Sequence, residues 1–283
     1  MSTFQEQAKT VMPVYFLGHG GPNLLDDNDY PPDQPIAKGL ARIGDEIKNL
    51  HPRGMVVLTG HWEAGHDSLQ INGKSPQSQP LIYDFYGFPS WLYKEEFPHK
   101  VDPKLTQQVA KLFLDHNIKI DIVDRGLDHG AWIVLKRAGL ANAEFPIIQL
   151  SLFRNDSMEK HLELGKVLAP LRQQGIVIVG SGMAVHNLPD YFEAHRLSST
   201  SLYPYVIPFD KEIDHAIINV PSNDRWEATK ALAHSNHLNK AHPTIEHLLP
   251  LHVVVGAAGP ETSAKKMLEA YQVSVSWSCY KLH

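Results

Sequence analysis

Short apolar runs that stop at a glycine alternate along this chain with stretches of helical periodicity. That alternation restricts the fold more than any other feature of the sequence. Met12–Leu17 ends at Gly18, Met55–Thr59 ends at Gly60, and Ile176–Val179 ends at Gly180. Ile118–Val123 and Pro146–Leu150 have the same strand-sized character. Runs this short and this uniformly apolar read as strands buried on both faces. Between them Ile36, Leu40, Ile43, Ile47 and Leu50 recur at spacings of three and four. Leu105, Val109, Leu112 and Phe113 do so within Pro103–Asn117, and Leu164, Val167, Leu168 and Leu171 within His161–Gln174. Asp102 before Pro103 supplies a cap and a preset first turn. Strands alternating with amphipathic helices predict an α/β fold, a single domain whose central, largely parallel (mixed) sheet is flanked by helices. The expected domain runs from residue 12 to 283 behind a polar N-terminal extension, residues 1–11. Ser274–Tyr280 alternates and is expected as a late edge strand.

Composition removes several function classes. A single cysteine, Cys279, excludes an intramolecular disulfide framework and a cysteine-rich zinc module. It is expected to be a buried apolar residue. With 26 basic against 31 acidic residues the net charge is −5, which argues against nucleic acid or an anionic membrane surface as a partner. No apolar run approaches the roughly 18–20 residues of a membrane span, and Met1–Thr10 lacks the apolar core of a secretory signal. A cytoplasmic protein is the expectation. Asn72–Pro89 is rich in Pro, Gly and Ser, then aromatic at Tyr83-Asp84-Phe85-Tyr86-Gly87-Phe88. A loop this long in a small domain is usually functional or disordered, and its aromatic half is expected to pack over something.

The unusual count is histidine, 17 of 283 residues. In open α/β sheets ligands bind outside the carboxyl ends of the strands. His19 and His61 follow predicted strands directly, and His186 follows Ile176–Val179 through Gly180-Ser181-Gly182-Met183-Ala184-Val185. His129 comes after Ile118–Val123 and a short turn, and His247 lies in Pro243-Thr244-Ile245-Glu246-His247-Leu248. Glycines flank four of these histidines, as a crowded site needs. Imidazole is the commonest nitrogen ligand of zinc, iron and copper, so convergence of two or three of these rings would make a mononuclear metal site with open positions. His51, His66, His99, His116, His195, His215, His234, His237, His252 and His283 share no such context and are expected on the surface or in structural roles. His161 and His242 are intermediate. The loop Gly18-His19-Gly20-Gly21-Pro22 is neither a dinucleotide fingerprint nor a phosphate loop, and Gly180-Ser181-Gly182 is not a hydrolase nucleophile elbow.

Taken in order, seven segments resemble the class III extradiol ring-cleaving dioxygenases, within them the 4,5-DOPA extradiol dioxygenase-like branch. They are Phe16–Pro22, Thr59-Gly60-His61-Trp62, Tyr83–Pro89, Leu127–Trp132, Pro146–Ser151, Gly180–Leu188 and Pro243–Leu251. They span nearly the whole chain. The resemblance implies one α/β domain around a mononuclear non-haem metal. It implies that His19 and His61 are the first two ligands and His247 the third. It implies that His186 sits at the metal as a further ligand or as an acid/base, and that His129 lies near the substrate oxygens. The familiar enzymes of the class use two histidines and a carboxylate, so Glu246 is the competing third ligand. If residues 246 and 247 lay on a helix, they would point about 100° apart and could not both face one ion.

The activity that the resemblance implies is insertion of O2 into a small catechol, DOPA-like in type, with opening of the ring beside the diol. Fe(II) is expected for activity, with Zn(II) expected in an isolated or crystallised form because it binds such sites more tightly. A zinc-dependent hydrolase on the same scaffold and a metal-binding protein without turnover are the alternatives. Arg125, Lys136, Arg137 and Arg154 are the basic residues near the motifs, and they give no firm clamp for a carboxylate. The sequence leaves the oligomeric state open.

Overall fold

A computed structural model describes residues 11–283, and the polar stretch Met1–Thr10 lies outside the described residues. Eleven strands are described: β1 (Val14–Gly18), β2 (Gly54–Thr59), β3 (Ser68–Ile71), β4 (Lys119–Ile122), β5 (Ile147–Gln149), β6 (Ile176–Gly182), β7 (Val185–His186), β8 (Ala264–Leu268), β9 (Tyr271–Gln272), β10 (Val275–Ser276) and β11 (Cys279–Leu282). Six of them form the central sheet in the order β5-β2-β6-β1-β11-β8. The first four are parallel, and β11 and β8 add an antiparallel flank. This is the mixed α/β sheet that the alternation predicts.

Alternation within each strand builds two cores. Val14, Phe16, Val56, Leu58, Ile176 and Ile178 enter one cluster, and Tyr15, Leu17, Met55, Val57, Val177 and Val179 enter the other. Helices α1 (Pro35–Asn49) and α3 (His129–Arg137) cover the second face through Ile36, Leu40, Ile43 and Ile47 and through Ala131–Leu135. The first face is covered by α2 (Pro103–Asp115), α4 (Met158–Leu168), α6 (Val206–Asp214) and α9 (Leu249–Ala258). The remaining helices are α5 (Leu188–Arg196), α7 (Arg225–Ala231) and α8 (Leu238–Ala241). Every residue of α9 is buried, so it lacks the polar face by which surface helices are recognised in a sequence. Each large apolar side chain removed from water contributes about 1.5–3 kcal/mol, so continuous burial on both faces makes the sheet the rigid part of the molecule.

Three local expectations need correction. Ser274–Tyr280 is not one edge strand. Val275–Ser276 joins a three-stranded sheet with β7 and β9, while Cys279–Leu282 enters the main sheet between β1 and β8, where both its backbone edges are paired. The break falls at Trp277, whose backbone N–H donates to Ala270 and whose ring turns toward Gly20. The helix expected over His161–Gln174 starts at Met158, and from Ala169 it tightens to a 3₁₀ turn around Pro170, which has no N–H to continue the α ladder. Ile118–Val123 pairs with β3 in a separate two-stranded parallel sheet. Cys279 is buried, as expected. Among the described residues no helix is long and apolar enough to cross a membrane.

Candidate metal centre

The parallel strands β1, β6 and β2 end together. Gly18 is in register with Gly182, and Thr59 with Ser181. Chain leaving these ends therefore converges over one patch of the sheet. His19 follows β1 at once and His61 comes two residues after β2. His247 arrives from the turn before α9 and is pinned to β6, where the Met183 N–H donates to the His247 carbonyl at 3.0 Å. A Cβ on Gly182 would lie 2.1 Å from that same oxygen, so this close approach requires glycine.

The rings of His19, His61 and His247 form a triangle with centroid separations of 5.0, 5.2 and 4.8 Å. Their outer hydrogen bonds fix which nitrogen faces inward. His19 Nδ1 lies 2.7 Å from the Gly20 carbonyl and His247 Nδ1 lies 2.9 Å from Glu246 Oε1. Both partners only accept, so each Nδ1 carries the proton and each Nε2 keeps a lone pair. His247 Nε2 faces His61 Nε2 at 3.2 Å, and His19 Nε2 is buried with no hydrogen-bond partner. Burial first, and neighbouring imidazoles second, push His19 and His186 down to about 3 and His61 and His247 well below the usual histidine range. These rings are therefore neutral at pH 7. Neutral imidazole lone pairs turned toward one another are a donor set suited to a nitrogen-preferring cation.

Two further rings adjoin this triangle. His129, the first residue of α3, has its ring 4.0 Å from that of His61, and His186 stacks on His247 at 3.8 Å with the planes 16° apart. Ring nitrogens of His19, His61 and His129 all lie within 4.8 Å of one another, and so do ligand atoms of His186, Glu246 and His247. All five predicted histidines thus reach one site. Pro243–Leu248 is a turn and not a helix, so the helical argument separating Glu246 from His247 does not apply. The separation comes instead from Glu246 holding His247 Nδ1, with Thr244 Oγ1 donating to the same carboxylate oxygen at 3.0 Å.

Asp84 was not singled out by spacing, although it is the one charged residue in the aromatic segment. It lies between two of the rings, with Oδ1 2.9 Å from His129 Nδ1 and Oδ2 3.5 Å from His61 Nδ1. The His129 backbone N–H donates to Oδ1 at 3.0 Å. Burial works to raise the Asp84 pKa, but these contacts outweigh it and hold the carboxyl below its usual range. Beneath His129, buried Asp128 caps α3 and accepts from Thr59 Oγ1 at 3.0 Å and from Arg125 at 3.3 Å. Ala131 N–H also donates to it, at 3.3 Å. Burial pushes the Asp128 pKa up although Arg125 opposes it. This network sets where α3 begins and hence where the His129 ring stands.

A cavity of about 500 Å³ opens over the rings, walled by Phe85, Phe88, Tyr191, Phe192 and Trp277. The aromatic segment therefore does line it. Tyr83 is the exception, packing on Trp132 at 5.6 Å and donating to the Glu95 carbonyl. His195, expected on the surface or in a structural role, lies on the cavity wall, and His252, of which the same was expected, is fully buried in α9. Flat apolar walls around a few convergent polar groups suit an aromatic ligand.

Comparison with known proteins agrees with this geometry. Residues 13–279 match the family described as the catalytic LigB subunit of aromatic ring-opening dioxygenase, whose enzymes are metal-dependent. A Beta vulgaris protein named 4,5-DOPA dioxygenase extradiol is 30% identical over 274 residues, 96% of each chain. An Escherichia coli K12 protein of the same name is 32% identical over 251 residues, 88% of this chain and 86% of that one. The crystal structure of an uncharacterized Escherichia coli K12 protein superposes with a TM-score of 0.74 at 26% identity, covering 95% of this chain and 99% of the other. With its histidine-lined cavity at the sheet's carboxyl edge, the chain belongs to the LigB family of aromatic ring-opening dioxygenases and is an extradiol ring-cleaving oxidoreductase.

Proposed function

We propose that residues 12–283 form one catalytic domain that opens the ring of a DOPA-like catechol, with His19, His61 and His247 holding Fe(II). The observation that carries the ligand assignment is the inward turn of the Nε2 lone pairs, fixed for His19 and His247 by the Gly20 carbonyl and Glu246. The names of the plant and bacterial relatives support the substrate class. Iron is preferred because Zn(II) has no redox chemistry with which to use O2. When bound, the ion would acidify a catechol hydroxyl and pass electron density to oxygen.

The protein's part is to orient the ring and move protons. Phe85 and Phe88 confine a flat ring against the histidine cluster. His129 accepts a catechol hydroxyl proton, and Asp84 beside Nδ1 offsets the charge gained. His186, half-buried and neutral against His247, serves as a further ligand or as the second proton carrier. In a test, protein loaded anaerobically with Fe(II) is mixed with L-DOPA in an oxygen electrode. Stoichiometric oxygen uptake with a yellow ring-opened product is expected. No uptake across several catechols overturns the reading. Turnover of an ester or amide without oxygen would instead support a zinc hydrolase.

A further inference from the structure

One wall of the cavity carries a hydrogen-bonding element that ring opening does not use. Gln272 in β9 and Trp277 both line the cavity with Tyr30. Trp277 Nε1 donates to Gln272 Oε1 at 2.9 Å, and the Tyr30 hydroxyl donates to the same oxygen at 3.1 Å. An indole N–H can only donate, so the atom it meets is the amide oxygen and the orientation of the Gln272 amide is fixed. Among the described residues its NH2 group, on a half-buried side chain, has no hydrogen-bond partner.

The supports of this amide are rigid. Trp277 is buried and its ring lies 5.4 Å from that of Tyr30. It also presses on Gly20, where φ is +56° and a Cβ would lie 1.9 Å from the indole. The element therefore abuts the residue after His19. The cavity volume falls in the range of pockets that take drug-sized ligands, so there is room for a substituent beside the ring.

Several other donors near the motifs are already committed. The Asn23 amide nitrogen donates to Asp29 at 2.8 Å. Arg125 stacks on Trp62 and pairs with Asp128, Lys136 pairs with Glu95, and Arg137 with Asp27. None of these three basic side chains is on the cavity wall. A preset neutral amide thus stands on the cavity wall, and these three cations are turned elsewhere.

We propose that Gln272 is a specificity-determining residue, whose amide N–H groups bind a carboxylate oxygen on the ring substituent of the catechol. This deepens the ring-opening reading and rests on it for the identity of the ligand. The test is calorimetric binding, without oxygen, to Fe(II)-loaded wild type, Gln272→Glu and Gln272→Leu. Three ligands are compared: catechol, 3-(3,4-dihydroxyphenyl)propionate and 4-(2-aminoethyl)catechol. Hydrogen bonds to charged groups are worth enough that both variants should bind the propionate about tenfold to a hundredfold more weakly. Catechol binding should stay within about twofold in both. Gln272→Glu should in addition tighten the amine, and Gln272→Leu should not. Equal weakening of all three ligands would mean that Gln272 only braces Trp277, and the proposal fails. Wild type that binds none of them, or that shows no change with either variant, overturns it too. Oxygen uptake is measured separately, so retained selectivity without turnover sinks only the catalytic reading.

Discussion

Removing the Glu246 carboxylate tests how the His247 ring is held. Glu246 Oε1 lies 2.9 Å from His247 Nδ1, and Thr244 steadies it, while His247 Nε2 faces His61 at 3.2 Å. A carboxylate in this position locks the tautomer with Nε2 free and makes that nitrogen more basic. Loss of such an outer partner typically costs 10–100-fold in metal affinity, or about 1.4–2.8 kcal/mol. Glu246 is about a quarter exposed, 26% at its side chain, so solvent screening brings the expectation for Glu246→Ala to the lower end, about tenfold. Glu246→Gln keeps an oxygen that can accept from Nδ1–H and should lose less. His247→Ala, which removes the nitrogen itself, should lose far more than either. The assay is anaerobic titration of metal-free protein with Zn(II) or Fe(II) against a chromophoric chelator. Two results would refute the reasoning. If Glu246→Ala leaves affinity unchanged, the contact does not orient the ring. If it loses as much as His247→Ala, the carboxylate is itself a ligand.

Three further expectations concern other parts of the molecule. His61→Ala should abolish metal binding, whereas His129→Ala should retain the metal and lose turnover; elemental analysis beside oxygen uptake decides this, and an emptied site in His129→Ala contradicts the division of roles. Burial holds His252 down to about 3 and His161 and His242 down to about 4, so all three stay neutral in the folded chain while the unfolded chain protonates them near pH 6.5. The unfolded state then binds more protons between pH 6.5 and 4, and stability must fall as pH falls through that window. Acidifying from pH 7 to 5 should cost about 2 kcal/mol for each of these imidazoles, and equal urea midpoints for metal-free protein at pH 7 and 5 would contradict it. Burial pushes the Cys279 thiol up to about 12, so a thiol reagent at pH 8 should react with it only at the rate of unfolding. Rapid labelling of native protein would show that β11 opens locally.

Much of the framework was legible in the sequence because it depends on local pattern. Uniformly apolar runs of strand length can be buried only between layers, and residues spaced by three and four must share a helix face. Strands β1, β2, β5 and β6 and helices α1 and α2 follow from those rules alone. The histidines after β1 and β2 were legible too, since parallel strands in one sheet deliver their carboxyl ends to a common edge. Helix α9 and the division of Ser274–Tyr280 were not. A fully buried helix has no polar face to mark its period, and two short strands in different sheets read as one when only alternation is visible.

The sequence by itself determined the sheet, the two-sided core and the candidate imidazoles. Tertiary structure alone decided which nitrogen of the His19 and His247 rings turns inward, because the Gly20 carbonyl and Glu246 make those choices through contacts of a few ångströms. It also decided that Glu246 braces His247, and that Gln272 and Trp277 reach the cavity from more than two hundred residues beyond His19. The physical reason is one of range. Periodicity reports burial, which each segment carries in its own composition, whereas hydrogen-bond direction is set between segments that meet only once the sheet has formed.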